Sequence, residues 1–348
     1  MRLLFYSFCP SNDPSTVLRC TMMAKELSKH DIKADVKAYS FKESLTTGFA
    51  YTLRHLQDYD IICLHRHGSA VAYLVLTLAR LMGKKVILDF DDALFVFGNK
   101  DVKVPHKLLN RWVAYSMLAP IAKASDAVTV GSHYLMDYAQ RLNQRSFLIP
   151  TAIDTNIFKP IERKPNGVFT IGWVGNAPNH VQNIRLLVKP LNILSQYHPI
   201  KFCIISTLGN QELREMFPIK HNFEVGYGLD RMVDASLVPD LIKDFDVSVC
   251  PLQDNSFTKG VCAAKMLTSM AMGIPVVASP VGEHNYIVRN GDNGFLANNT
   301  NEWVSAIKSL MDNESLRYVI GNVGLKTIKD YTLEVQGKRF AEICYGLL

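Results

Sequence analysis

The stretch richest in chemistry runs from Lys259 to Gly282, KGVCAAKMLTSMAMGIPVVASPVG. It reads as a small-residue loop, a helix, a Gly273-Ile274-Pro275 turn, a buried strand and a second glycine loop. Small residues at a helix start let backbone N–H groups approach a phosphate closely. Lys265 falls in the first turns of that helix, where its ammonium would join the helix dipole on the same anion; spacing alone describes a solvated helix lysine equally well. A second constellation is Asp89-Phe90-Asp91-Asp92 at a strand end. Aspartate-x-aspartate can hold a divalent cation through a diphosphate, but the same residues can face a cleft or cap the next turn. Arg19, near the start of the first helix, could meet an acceptor phosphate or remain solvated. His65 and His67 follow a strand in Leu64-His-Arg-His-Gly68, where one could line a cleft or serve as a satisfied structural histidine. Lys103, Lys107 and Arg111 recur at helical spacing beside Trp112, compatible with a membrane surface or with an ordinary amphipathic helix.

These residues need elements to hold them. Short β-branched runs alternate with longer amphipathic ones, the pattern of parallel α/β layers. In the first half strands are predicted at 2–8, 34–39, 61–65, 85–89, 127–130 and 146–149, with helices near 16–29, 70–82, 106–123 and 132–142. Most strands are continuous apolar runs, as expected when helices cover both sheet faces. The segment from Pro150 to Gly167, with Pro160 and Pro165, breaks the rhythm and reads as a connection. A second alternation follows, with strands at 169–174, 202–206, 223–225, 247–250 and 275–278 and helices near 180–196, 238–243, 262–272, 301–311 and 333–345. The expected fold class is α/β, two Rossmann-like domains facing across a cleft, with ligands at strand carboxyl ends.

At 348 residues the chain is long for one core and comfortable for two. Its seven cysteines are scattered without metal-ligand or redox spacing, which suits reduced core residues of a cytoplasmic protein. The apolar start MRLLFYSFCP is brief and lacks a small-residue cleavage site, so a first buried strand is the better reading. Residues 1–160 carry 20 Lys and Arg against 14 Asp and Glu, whereas residues 161–348 balance at 18 against 18. The excess is too mild, and too free of interleaved aromatics, to indicate a nucleic acid partner. It suits an anionic substrate, an anionic membrane surface, or simply a solvated face.

Lys259–Gly282 resembles the donor-binding region of GT-B fold glycosyltransferases, specifically the large family 4 of retaining enzymes. One branch of that family has Arg-Gly-Lys-Cys, then a lysine, then Tyr-Met-Ala-x-Gly-x-Pro-Val-Val-Ala-Ser-Pro-Val-Gly. Other pieces agree in order and spacing: Gly131-Ser132-His133-Tyr134-Leu135, then Ile149-Pro150-Thr151-Ala152-Ile153-Asp154-Thr155 with Phe158 and Pro160, then Ile171-Gly172-Trp173-Val174-Gly175, and Asn290-Gly291-Asp292-Asn293-Gly294-Phe295-Leu296. The resemblance covers most of residues 60–348. Departures are specific. Two family glutamates, for donor sugar and ribose, are matched by Gly260 and Thr268. The lysine before the family's cysteine is Val261, and a glutamate after the last glycine loop is replaced by Tyr286. An arginine and a lysine that hold the diphosphate in many members fall where this chain reads Asn176-Ala-Pro-Asn179-His180.

The resemblance implies a glycosyltransferase that moves a hexose-type unit from a nucleoside diphosphate sugar to a hydroxyl of a glycan or lipid-linked acceptor, with retention. Residues 1–160 would be the acceptor-side domain, with a helix at 333–348 packing back on it, and 161–332 the donor-binding domain. The implied donor residues are Asn176, Lys259, Gly260, Lys265, Thr268, Gly282 and Glu283; Asp91 and Lys265 are the catalytic candidates, and Arg19, His67 and Asp92 lie on the acceptor side. No cofactor and no metal are expected, since fixed cations and helix-terminal N–H groups can stabilise the leaving diphosphate. The expected location is cytoplasmic, including the inner face of a membrane. The missing glutamates leave a non-catalytic binding protein as the rival, and the double-Rossmann plan leaves a sugar-nucleotide epimerase. Neither half has the Gly-x-Gly-x-x-Gly turn of a nicotinamide enzyme.

Overall fold

A computed structural model describes residues 1–40, 43–96, 116–161, 167–206, 215–217, 223–227 and 235–348. The chain forms two compact units. The first comprises Met1–Ala152, Asn255–Cys262 and Thr332–Leu348; the second comprises Ile153–Asp254 and Ala263–Tyr331.

The first unit is built on a parallel six-stranded sheet of β1 (Arg2–Ser7), β2 (Lys33–Ala38), β3 (Ile61–His65), β4 (Lys85–Phe90), β5 (Ala127–Val130) and β6 (Ser146–Leu148). Its order is β2-β1-β3-β4-β5-β6, so the strand order reverses beside β1. Leu3–Tyr6, Ile61–Leu64 and Val86–Leu88 are buried on both faces, which explains their unbroken apolar runs. The C-terminal helix Leu333–Tyr345 belongs to this unit: Phe340 packs against Phe5 with ring centroids 5.7 Å apart, and the Tyr345 hydroxyl donates to the His30 carbonyl.

The second unit repeats the plan with β7 (Phe169–Gly175), β8 (Ile200–Ser206), β9 (Phe223–Tyr227), β10 (Val247–Cys250), β11 (Val276–Ala278) and β12 (Phe295–Leu296), ordered β12-β11-β10-β7-β8-β9 and again parallel. Here the reversal lies between β7 and β10. Open α/β sheets bind ligands at such reversals, beyond the strand carboxyl ends, so β1/β3 and β7/β10 are the places to look for a site. The expected α/β class with two Rossmann-like domains is the fold observed.

The structure departs from the predicted elements in instructive places. The division falls at Ala152/Ile153 rather than 160/161, because Ile153 and Phe158 pack into the second unit's core and the Ile153 N–H bonds Tyr331 O. Asn255–Cys262 goes with the first unit: Ser132 Oγ donates to Gly260 O, and Phe257 packs on that core. The first predicted helix is interrupted by a wide π turn at Val17–Thr21 before Met22–Leu27. Helices Phe49–His55 and Glu314–Ile328 and strand β12 lie in stretches without a predicted element. Of the helix predicted at 106–123, Leu118–Ala124 is helical; the basic segment Lys103–Trp112 lies outside the described residues.

Candidate functional site

At the carboxyl edge of the first sheet the polar residues neutralise one another. The π turn brings Arg19 inward, where its side chain is 4% exposed. Its Nε and Nη2 donate to the two oxygens of Asp89 on β4, and Nη1 donates to Ile149 O at 2.9 Å. Asp89 also accepts from Thr129 Oγ1 at 2.6 Å and contacts His65 Nδ1 at 2.7 Å. Those bonds use the carboxylate's accepting capacity. Burial pushes the Asp89 carboxyl up, but the Arg19 guanidinium and His65 together outweigh it and hold the group well below the usual carboxylate range. Beyond it, Ser15 Oγ donates to Asp91 Oδ2 and lies 3.0 Å from His65 Nε2. Arg66 pairs with Asp92 and, at 3.4 Å, with Asp91. Burial raises the Asp91 carboxyl, and Arg66, His65, Arg19 and the Ser15 hydrogen bond together more than reverse that. Arg66 adopts φ 52°, a left-handed conformation uncommon for a side chain of this size, held by that carboxylate cluster.

The second sheet edge carries a cation among rings. The helix Ala264–Ala271 follows Ala263, itself left-handed at φ 54°, and places Lys265 over the end of β7. Any Cβ on Gly175 would overlap the Lys265 stem, so the lysine's path requires glycine there. The ammonium lies 6.0 Å from the Trp173 ring centroid and 3.4 Å from His180 Nε2. The Lys265 charge, with burial, lowers the His180 pKa to about 2. Burial, with a smaller effect of Lys265, lowers that of His284 to about 4. His284 Nδ1 lies 3.0 Å from Ser279 O, which fixes it as the donor of that ring. Among the described residues no group of three or more His, Cys, Asp or Glu is arranged to hold a metal ion.

The structure separates the residues singled out in the sequence. Lys265, Asn176, Thr268, Gly282 and Glu283 belong to the second unit, whereas Lys259 and Gly260 belong to the first. A Cβ at Gly260 would meet Ala93 and Leu135, so this glycine serves close packing. Thr268 is buried, and its hydroxyl donates to Lys265 O at 2.8 Å within its own helix. Asn176 is exposed at the end of β7; Gly282 takes φ 54° in its loop, and Glu283 is 2% exposed. On the first unit, Arg19 is an interior ion-pair partner of Asp89 rather than an open cation, because the π turn aims it inward. His67 is fully buried between the rings of Tyr6 and Phe8, and burial lowers its pKa to about 3. Asp91 and Asp92 keep 13% and 26% side-chain exposure beside Arg66. Sequence reasoning passed over Ser15, Arg66 and Asn183, and named His180 only as the end of the loop at Asn176.

Comparison with known proteins adds the class. Residues 168–313 match the family described as "Glycosyl transferases group 1". The chain is 22% identical over 302 residues to the UDP-Gal:alpha-D-GlcNAc-diphosphoundecaprenol alpha-1,3-galactosyltransferase of Escherichia coli, covering 81% of this chain and 74% of that protein. Its structure superposes on sucrose-phosphate synthase from Thermosynechococcus elongatus with a TM-score of 0.76, at 14% identity over 100% of this chain and 99% of that one. Anabaena HepE in complex with UDP-glucose gives 0.72, at 16% identity over 99% and 100%. No helix among the described residues is long and apolar enough to cross a membrane. The chain is thus a glycosyltransferase of the GT-B fold, carrying a group 1 glycosyl transferase domain at residues 168–313.

Proposed function

We propose that this chain transfers a glycosyl unit from a UDP-sugar to a hydroxyl of a glycan or lipid-linked acceptor, with retention at the anomeric carbon and without a metal ion. The observation that carries the reading is Lys265, held over Gly175 within the group 1 domain beside Trp173 and His180. UDP is chosen because the E. coli relative uses UDP-galactose and HepE was crystallised with UDP-glucose.

In this reaction the bond from the anomeric carbon to the β-phosphate oxygen breaks, and a bond to the acceptor oxygen forms on the same face. The acceptor's proton leaves with the diphosphate. Negative charge grows on the β-phosphate as it departs, and a fixed ammonium stabilises that charge without a metal. Asp91 and Asp92, beside Arg66, are assigned to the acceptor side. The basic excess of residues 1–160 supports work at an anionic membrane surface, on its cytoplasmic face, where a lipid-linked acceptor would lie.

The test is a panel of nucleotide sugars, read by thermal stabilisation and by release of UDP with a lipid-linked acceptor present, with and without EDTA. One or a few UDP-sugars should stabilise the protein and turn over equally in EDTA. Activity lost in EDTA and restored by manganese removes the metal-free mechanism; a panel with no stabilising member removes the reading itself.

A further inference from the structure

The loop after β7, Asn176 to His180, holds no arginine or lysine of its own and ends in His180. The hydrogen bonds around that histidine settle which of its nitrogens carries the proton. Asn183 is buried, and its Oδ1 accepts the Gln253 backbone N–H at 2.9 Å. The amide cannot be turned over without setting two donors against each other there, so its Nδ2 group faces His180 Nδ1, at 3.1 Å. An NH2 group only donates. His180 Nδ1 is therefore the acceptor, and the proton of the neutral ring sits on Nε2.

That assignment changes the meaning of the 3.4 Å approach between His180 Nε2 and Lys265 Nζ. An ammonium and an N–H are both donors and cannot bond to one another. Two donors this close can instead share one oxygen with lone pairs to spare. The ring is steadied on its other sides: it packs at 5.7 Å from the Trp173 ring, and the His180 backbone N–H bonds Ala177 O. The ring cannot answer by becoming imidazolium, since Asn183 already donates to its second nitrogen, and Lys265 also opposes a second charge.

We infer that His180 Nε2–H and the Lys265 ammonium form a two-donor clamp for a phosphate oxygen of the nucleoside diphosphate, with His180 acting as a neutral ligand. The inference rests on the proposed donor specificity, and it adds a residue, a tautomer and a reason for them. Asn183 is a positioning residue that sets the tautomer without touching the ligand.

The experiment follows the ring nitrogens of full-length, ¹⁵N-histidine-labelled protein by long-range ¹H–¹⁵N spectra between pH 6 and 8, free and with UDP, pyrophosphate or uridine. Calorimetry on the parent, His180→Gln and His180→Phe accompanies it. The Nε2–H tautomer should be present throughout, and UDP and pyrophosphate should both shift its proton signal while uridine does not. Loss of a hydrogen bond to a charged oxygen predicts that His180→Phe weakens UDP about ten- to a hundredfold. His180→Gln, which can still present an N–H, should stay within about threefold of the parent on the same basis. A ring protonated on Nδ1, or a His180→Phe variant that binds UDP like the parent, overturns the clamp and leaves the donor reading intact. If the parent binds pyrophosphate through His180 but no UDP, the clamp stands and the donor reading falls; if it binds neither, both fall.

Discussion

Both sheets end in polar residues at the reversal of strand order, and they use them in opposite ways. At the first edge Arg19, Asp89, His65, Ser15, Asp91, Arg66 and Asp92 form one connected network of ion pairs and hydrogen bonds. At the second edge Lys265 lies among Trp173, His180 and His284, and the two histidines are kept neutral by burial and by the lysine's own charge. Buried charges already matched to partners chiefly hold a fold in one arrangement, and removing one partner strands the other. At the second edge the cation sits beside neutral rings, and a fixed charge of that kind can stabilise an anion with little reorganisation when charge develops. The comparison therefore assigns structural work to most of the first edge, while the proposed function places donor binding at the second.

The largest expected effect breaks the first edge. Arg19→Met should destabilise the protein by about 3–5 kcal/mol, since it leaves the Asp89 carboxylate buried without its guanidinium. Chemical denaturation of the parent, Arg19→Met and the double variant Arg19→Met/Asp89→Leu measures this, and the double variant should recover much of the loss. A single variant as stable as the parent would mean that the ion pair holds nothing.

At the second edge the corresponding change should separate stability from activity. Lys265→Met keeps most of the apolar stem over Gly175 and deletes the charge. Loss of one such contact in a transition state costs on the order of 3–4 kcal/mol, about two to three decades in rate. The melting temperature without ligand should stay near the parent's, while stabilisation by UDP-sugar disappears. Equal turnover by this variant would return Lys265 to the status of a solvated helix residue.

A smaller effect distinguishes the edges by pH. His67 is fully buried, and its pKa falls from the ordinary 6.5 to about 3. The unfolded chain therefore binds a proton below about pH 6.5 that the folded chain refuses until about pH 3, and stability declines as pH falls through that window. Between pH 7 and 5 this one group amounts to about 2 kcal/mol. His67→Phe should flatten the stability profile between pH 7 and 5 by that amount, while leaving UDP affinity unchanged. An unaltered slope in denaturation curves would show that His67 does not stay neutral in the folded state.

The sequence by itself determined the alternation of strands and helices, and it did so because strands covered on both faces must be apolar throughout: Ile61–His65, Ala127–Val130 and Val247–Cys250 have the predicted bounds. It also offered Lys265 as an anion ligand, on local small neighbours and a helix-start position that fit a solvated helix lysine equally well. Arg19 looked like an open cation because nothing local announces a π turn that aims a side chain inward. Glu314–Ile328 looked unlike a helix because Gly321 and Gly324 weaken its pattern, yet a Cβ at Gly321 would overlap the Gly273 carbonyl, and only packing reveals that need. Lys259 and Gly260 read as one motif with Lys265 because they are close in sequence, but the hydrogen bonds of Ser132 and the Cys262 thiol, which donates to Asp91 O, draw that segment into the first unit. The tautomer of His180 depends on Asn183 and on Gln253, 70 residues beyond Asn183. Local periodicity fixes elements because burial acts residue by residue. Charge pairing, close glycine packing and proton placement depend on partners far along the chain, and tertiary structure alone brings them together.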